Sequence, residues 1–218
     1  MDAGSAWGNP LVMVQVFVEG GGERKDQKSR CREGFRKLTE NAGLSGHMPT
    51  FVACGSRNDA YGSFCTAVRV ARPDEYPFLL VDSEDPVSDI GEPDSPIPWR
   101  HLRMRDRWQK PASARSDQAL LMVTCMETWL IADWATLRSV FGPQLQESAL
   151  LPVQDLETRA RHEVLQSLES ATKACGPARM YSKGPRSFEV LARVSPDLLA
   201  THLPNFRRFV SALRRQLG

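Results

Sequence analysis

Two stretches decide the fold of this 218-residue chain: Val16-Phe17-Val18-Glu19-Gly20 and Leu79-Leu80-Val81-Asp82-Ser83-Glu84. Each closes an apolar run, Leu11–Val18 or Tyr76–Val81, of the length and composition of a buried strand in a parallel sheet. Carboxylates that follow such strands stand at the sheet edge where α/β proteins bind their ligands. The pattern predicts an α/β fold with a mainly parallel sheet, flanked by helices, and a functional site at that edge.

The carboxylates at these strand ends have the chemistry of a divalent-metal site. Mg²⁺ prefers oxygen ligands and usually takes one or two protein carboxylates. Asp82 and Glu84 are two residues apart, so on an extended strand end both side chains point to the same side. We predict that Glu19, Asp82 and Glu84 bind Mg²⁺ or Mn²⁺ and are catalytic. The competing interpretation is that they are solvated loop residues and helix caps.

The same stretches resemble the Toprim signature, in which one strand ends in Glu-Gly and a second ends in Asp-x-Asp. Together with Met126-Glu127-Thr128-Trp129-Leu130-Ile131-Ala132-Asp133, they resemble a bacterial family of Toprim-like proteins known as DUF4276 over most of the chain. Glu19 then maps to the family glutamate, Asp82 to the first aspartate and Glu84 to the second. Glu84 replaces an aspartate and is one methylene longer.

The resemblance implies a Toprim-like (Rossmann-like) fold and a Mg²⁺-dependent phosphodiester site acting on nucleic acid, as in topoisomerases, primases and overcoming-lysogenization-defect nucleases. It also implies an ATPase partner protein and a role in bacterial defence against phage.

Length and composition are those of a soluble globular protein. Hydrophobic residues make up 41% of the chain and charged residues 25%, close to the usual averages. We predict a Toprim-like core at residues 1–142 and a helical C-terminal region at 143–218, packed on or beside it. The net charge of +2 does not by itself favour nucleic acid, so such binding needs local clusters of basic residues.

Several site classes are disfavoured. The five cysteines form no C-x-x-C pair, and the four histidines have no i, i+4 spacing, so a zinc centre has little support. The chain has no P-loop motif for ATP. No apolar run approaches the roughly 20 residues of a membrane span, and we predict a cytoplasmic protein that does not bind membranes.

The remaining periodicity predicts further elements. The predicted strands are 48–54 and 119–125. The predicted helices are 29–41, 57–70, 126–141, 156–174, 187–194 and 204–217, with an irregular acidic loop at 82–98. The last helix is amphipathic with a basic face, which suits docking on the sheet, nucleic-acid binding or a partner protein.

Glu127 lies at the junction between the strand 119–125 and the helix 126–141. There it either joins the carboxylate edge as a further metal ligand or is a negative charge favourably placed at a helix N-terminus. The family pattern favours the ligand. Asp133 is almost two helical turns further on, so it should not share an ion with Glu127 unless the helix is broken. We expect Asp133 to have a structural role or to support a ligand from behind.

Two basic segments are candidate nucleic-acid contacts. In Trp99–Lys110, the residues Arg100, Arg103 and Arg107 can meet phosphates while the indoles stack on bases. The alternative is an amphipathic surface helix with half-buried tryptophans. Lys183 and Arg186 either clamp a phosphate or belong to a solvated basic loop.

The leading hypothesis is a metal-dependent nuclease in which Glu19 is a ligand or the general acid or base. Activated water is the expected nucleophile because nothing in the sequence places Tyr61 or Tyr181 near the metal. One alternative is a non-catalytic subunit that keeps the Toprim scaffold and binds a partner protein. Another is phosphoryl chemistry on a nucleotide or another small phosphate ester.

Overall fold

Four parallel strands form the centre of the protein in a computed structural model that describes residues 12–87, 90 and 92–218. The strands are β1 (Met13–Glu19), β2 (Thr50–Gly55), β3 (Glu75–Asp82) and β4 (Ala119–Met122), in the order β2-β1-β3-β4. Each neighbouring pair is parallel. The predicted α/β fold with a parallel sheet is therefore confirmed. Leu11, the first residue of the predicted first strand, lies outside the described residues.

Nine helices are present in the described part of the chain. They are α1 (Lys25–Thr39), α2 (Arg57–Val70), α3 (Ile97–Asp106), α4 (Met126–Ile131), α5 (Trp134–Phe141), α6 (Arg161–Thr172), α7 (Pro185–Leu191), α8 (Pro196–His202) and α9 (Pro204–Leu217). Helix α2 has the predicted bounds, and the Ser56 hydroxyl caps it by accepting a hydrogen bond from the Asp59 amide at 3.1 Å. None of the helices described has the length and apolar character needed to cross a membrane.

Both faces of the sheet are buried, because alternate strand residues point to opposite sides. Val16, Val18 and Leu80 belong to one apolar cluster, which also takes residues from α1, α4, α6, α7 and α9. Phe17 and Leu79 belong to the second cluster, formed with α2 and α3. This double coverage explains why the strands read as continuous apolar runs in the sequence.

The predicted helix 126–141 is wrong as a continuous element. It is broken between α4 and α5, where the Asp133 carboxylate accepts hydrogen bonds from the Thr136 amide at 3.0 Å and the Ser195 amide at 2.9 Å. Asp133 thus caps α5 and ties it to the start of α8. Its predicted structural role is confirmed, by a contact that depends on the tertiary fold.

Several other boundaries differ from the predictions. The strand predicted at 119–125 ends at Met122, and the helix predicted at 29–41 begins at Lys25 and ends at Thr39. The helix predicted at 156–174 begins only at Arg161, after a short 3₁₀ turn at Leu156–Thr158. Helix α8 was not predicted at all.

The C-terminal helix α9 docks on the sheet, which was one of its three predicted roles. Phe206 and Phe209 pack against Trp129 of α4, with ring centroids 5.0 and 5.5 Å apart. The Arg208 guanidinium donates to the Ala119 carbonyl at 3.0 Å, and Arg215 pairs with buried Asp117 at 2.6 Å. Part of the basic face therefore holds the helix in place.

Glu157, beside the start of α9, should make stability pH-dependent. It accepts hydrogen bonds from the Asn205 amide at 3.1 Å and the Asn205 side chain at 2.7 Å, and burial raises its pKa to about 7. Because the folded state binds this proton more tightly than the unfolded chain, stability falls as pH rises from about 4.5 towards 7 and beyond. Between pH 5 and pH 8 the ionisation of Glu157 should lower the free energy of unfolding of wild type by up to about 3 kcal/mol. Glu157→Gln cannot ionise and should not show this decrease, which urea unfolding at the two pH values measures. The matched variant at exposed Glu169, Glu169→Gln, should keep the wild-type pH dependence.

Candidate metal centre

The predicted carboxylates Glu19, Asp82 and Glu84 meet at one edge of the sheet. One oxygen from each lies within 4.8 Å of the others. Strands β1 and β3 are parallel neighbours with Val18 opposite Leu80, so Glu19 and Asp82 follow this pair by one and two residues at the same edge of the sheet. The sequence pattern predicted this juxtaposition correctly.

Glu84 reaches the group by a different route from the predicted one. It lies beyond the end of β3 in a left-handed backbone conformation with φ of 69°, not on an extended strand end. Such a conformation is unfavourable for a residue other than glycine and needs support from its surroundings. Here the Glu84 amide donates to the Thr124 carbonyl at 2.7 Å, and the Ser83 amide to the Met122 carbonyl at 2.9 Å. The turn, rather than strand alternation, brings Glu84 to the site.

Asp82 is the buried centre of the group, with 2% of its surface exposed. Its Oδ1 accepts a hydrogen bond from the Met126 amide at the start of α4, at 2.8 Å, and its Oδ2 lies 3.6 Å from the Lys183 ammonium. Burial, followed by the charges of Glu19 and Glu127, raises the pKa of Asp82 well above its ordinary value. A nearby cation would favour the ionised carboxylate.

Three arginines from other segments face the same group. Arg57 lies 3.3 Å from Glu19 and also donates to the main-chain carbonyl of Asp82. Arg105 and Arg161 pair with Glu84 at 3.7 and 3.1 Å. Together with Lys183, these cations offset part of the negative charge.

Glu127 lies close by but is not one of the three carboxylates that meet. It is fully buried, and its Oε1 accepts a hydrogen bond from the Tyr181 hydroxyl at 2.6 Å. The same hydroxyl lies 3.0 Å from the Ser187 hydroxyl, at the start of α7. Within the described residues, Glu127 Oε2 has no hydrogen-bond partner. Tyr181 thus lies beside the site, which the sequence did not indicate, since 54 residues separate it from Glu127.

Removing the Tyr181 hydroxyl should show how much its hydrogen bond to Glu127 contributes to stability. We expect Tyr181→Phe to lower the free energy of unfolding by about 1–3 kcal/mol, because Glu127 then loses a buried donor. In a Glu127→Gln background the same change should cost measurably less, which a double-mutant cycle in urea detects. Tyr61→Phe is the matched control, since the Tyr61 hydroxyl bonds an exposed carbonyl. Equal losses in both backgrounds would show that Tyr181 and Glu127 do not interact.

A cavity of about 270 Å³ opens beside the carboxylates. Its wall contains backbone from the turn that follows β1, where Gly20, Gly21 and Gly22 have φ values of 137°, 82° and 53°. Glycine tolerates such angles without strain, as the triplet predicted. The other lining residues are Glu19, Gln27, Gly55, Asp82, Met126, Lys183, Gly184 and Phe188.

The predicted nucleic-acid contacts lie in different places. Arg100, Arg103 and Arg107 are exposed on and after α3, outside the group of cations that face the carboxylates. Lys183 reaches the site, 3.6 Å from Asp82, whereas Arg186 pairs with Glu189 at 3.4 Å.

The predicted stacking of bases on the tryptophans of this segment is wrong. Trp99 and Trp108 are 5% and 7% exposed. Trp108 stacks on Tyr61 with ring centroids 4.4 Å apart, and the Trp99 indole donates to the Arg115 carbonyl at 3.2 Å. Both rings are core residues of the sheet face that α2 and α3 cover.

Comparison with known proteins identifies one family. A family model described as "Domain of unknown function (DUF4276)" matches residues 18–214, nearly the whole chain. No curated protein and no solved structure matches the chain. The Toprim resemblance stays a prediction. By the extent of the match, the chain belongs to the DUF4276 family.

Proposed function

We propose that this protein is a metal-dependent phosphodiesterase that acts on nucleic acid through a Toprim-like site. The observation that carries the proposal is the meeting of Glu19, Asp82 and Glu84 within 4.8 Å, at the carboxyl edge of a parallel sheet. Carboxylate oxygens are the ligands that Mg²⁺ and Mn²⁺ prefer. Burial and then the neighbouring carboxylates raise the pKa of Asp82, and a bound cation would favour its ionised form.

The residues around the site suit hydrolysis of a phosphodiester. When bound, the ion would polarise the phosphate and lower the pKa of the attacking water. The water oxygen bonds to phosphorus, the ester P–O bond breaks, and the leaving oxygen takes up a proton. Lys183 can neutralise a phosphate oxygen, and the Met126 amide holds Asp82 in place. Burial raises the pKa of Glu19, which suits it to hold and transfer a proton if it is not a ligand.

Water is favoured over tyrosine as the nucleophile. Tyr181 is 3% exposed, and its hydroxyl is engaged with Glu127 and Ser187. The Tyr61 hydroxyl donates to the Gln109 carbonyl at 2.6 Å, against the sheet face that α2 and α3 cover. Both phenol groups are therefore already hydrogen-bonded within the protein.

Wild-type protein tests the proposal directly. We expect millimolar Mn²⁺ to raise the melting temperature, and supercoiled plasmid to be nicked in the presence of Mn²⁺ and left intact in EDTA. Stabilisation without nicking would redirect the proposal to another phosphate ester, the small-molecule alternative. The absence of both effects would refute a metal-dependent site.

A non-catalytic subunit that binds a partner protein is the second candidate, and one observation favours it. Each of the three carboxylates already faces a basic side chain: Glu19 faces Arg57, Asp82 faces Lys183, and Glu84 faces Arg105 and Arg161. A scaffold held by ion pairs would show little metal binding, whereas a catalytic site binds Mn²⁺ in a titration followed by calorimetry. The ATPase partner and the role in anti-phage defence stay predictions.

A further inference from the structure

We propose that the cavity beside the carboxylates binds one nucleoside of the substrate, the one attached to the phosphate that is hydrolysed. This inference rests on the proposed phosphodiesterase function and deepens it. Its consequence is a preference for nucleotides at chain ends or outside a duplex, because a base still paired in a helix cannot enter such a cavity.

The cavity is continuous with the candidate metal centre. Glu19, Asp82 and Lys183 line it and also belong to the charged group at the sheet edge. A phosphate held by that group therefore has its ester substituent at the mouth of the cavity. The substituent is the part of the substrate that the cavity is placed to recognise.

The size of the cavity suits one nucleoside. Its volume of about 270 Å³ lies just below the range of roughly 300–1,000 Å³ that is usual for small-molecule sites. The backbone on this side of the cavity is tightly packed and admits no larger residue at two glycines. A Cβ on Gly21 would lie 2.8 Å from the Lys28 Cα atom, and one on Gly55 would lie 2.7 Å from the Gly22 carbonyl oxygen. A base pair is too large for the space.

The lining away from the carboxylates favours a neutral group with polar edges. Phe188 and Met126, only 6% and 5% exposed, contribute apolar edges to the wall rather than a free face for stacking. Gln27, in the first turn of α1, contributes an amide that can both donate to and accept from a base edge. Among the lining residues that the structure describes, Lys183 is the one cation, which suffices for a single phosphate.

Three esters with the same leaving group test the inference in Mn²⁺: the p-nitrophenyl phosphodiesters of thymidine at its 5′ and 3′ oxygens, and methyl p-nitrophenyl phosphate. In each, the water oxygen bonds to phosphorus and the aryl P–O bond breaks, releasing p-nitrophenolate. We expect kcat/KM for one thymidine ester to exceed that for the methyl ester by about ten- to a hundredfold, from contacts of the nucleoside with the cavity wall. In Gln27→Ala this ratio should fall at least about fivefold, because the base edge loses its hydrogen-bonding partner. Gln144→Ala, at an exposed site outside the lining, should keep it.

Calorimetric binding of thymidine 5′-monophosphate and methyl phosphate, each with Mn²⁺, separates this inference from the proposed function. Tighter binding of the nucleotide that weakens in Gln27→Ala supports the nucleoside site even if no ester is hydrolysed, and only the phosphodiesterase proposal then fails. Equal hydrolysis and equal binding of both classes would overturn the nucleoside site and leave the phosphodiesterase standing. The absence of both hydrolysis and nucleotide binding would overturn both.

Discussion

Asp82→Asn is expected to lower Mn²⁺-dependent hydrolysis by about 100-fold or more and to remove the Mn²⁺-induced rise in melting temperature. Asp82 is the most buried of the three carboxylates that meet at the sheet edge, and the Met126 amide fixes its orientation. Asparagine keeps the size of the side chain and can still accept that hydrogen bond. The substitution therefore removes the charge with little change in packing.

The same variant should behave in the opposite way without metal. Burial and neighbouring carboxylates raise the pKa of Asp82, so the folded state holds this proton more tightly than the unfolded chain. Ionisation of Asp82 then lowers stability as pH rises above its unfolded pKa, near 3.8. Asparagine does not ionise, so the variant does not lose stability in this way. At pH 8 in EDTA the variant should melt at the same temperature as wild type or higher, and in Mn²⁺ it should melt lower.

Asp85→Asn is the matched control for both measurements. Asp85 is exposed, lies three residues away and loses the same formal charge when substituted. It should keep the Mn²⁺-induced stabilisation and the hydrolysis. If Asp82→Asn retained the Mn²⁺ response of wild type, Asp82 would not be a ligand and the site as proposed would be wrong.

The sheet and two of its carboxylates could be predicted from the sequence because they depend on local patterns. Strands buried on both faces leave uninterrupted apolar runs, and the residues that end those runs, Glu19 and Asp82, are found at the edge of the sheet. Helix α2 was predicted with its bounds for a similar reason, since its cap at Ser56 lies directly before it.

The rest depends on contacts between distant segments. The apolar periodicity from Trp129 to Leu137 continues across the break at Asp133, and the amide of Ser195, 62 residues away, helps hold that break. The burial of Trp108 depends on its stacking against Tyr61. The basic residues around the carboxylates likewise come from separate parts of the chain, so no spacing rule could group them with the acidic residues.

Arg57→Met is expected to destabilise the protein by about 2–4 kcal/mol, because it breaks a largely buried ion pair and leaves Asp106 with Arg105, 2.6 Å away, as its remaining basic partner. Arg57 and Asp106 have side chains only 14% and 11% exposed. The guanidinium donates to both Asp106 oxygens, at 3.0 and 2.7 Å, and lies over the Trp108 ring at 5.0 Å. Methionine can fill the space over the ring but offers no donor to the carboxylate.

The loss should depend on pH in a defined direction. Burial opposes the ionisation of Asp106, but the hydrogen bonds and charges of Arg57 and, to a smaller extent, Arg105 outweigh it and keep the pKa of Asp106 below its ordinary value. This contribution to stability is present above the unfolded pKa, near 3.8, and is lost as pH falls below it. The difference between wild type and Arg57→Met in urea unfolding should therefore be large at pH 7 and smaller at pH 3.5.

Two further variants decide whether the geometry of the guanidinium or only its charge is responsible. Arg57→Lys keeps the charge but cannot make the paired hydrogen bonds to Asp106, so it should recover only part of the lost stability. Arg69→Met, at an exposed position in the last turn of the same helix, should change stability by no more than about 0.5 kcal/mol.

Full recovery of stability in Arg57→Lys would show that Arg57 acts only through its charge. If Arg57→Met lost less than about 1 kcal/mol, the Arg57–Asp106 pair would contribute no more than an ordinary surface ion pair. Since the same guanidinium contacts Glu19 and the Asp82 carbonyl, the large loss expected here would mean that the acidic edge of the sheet is held together by a residue that binds no metal.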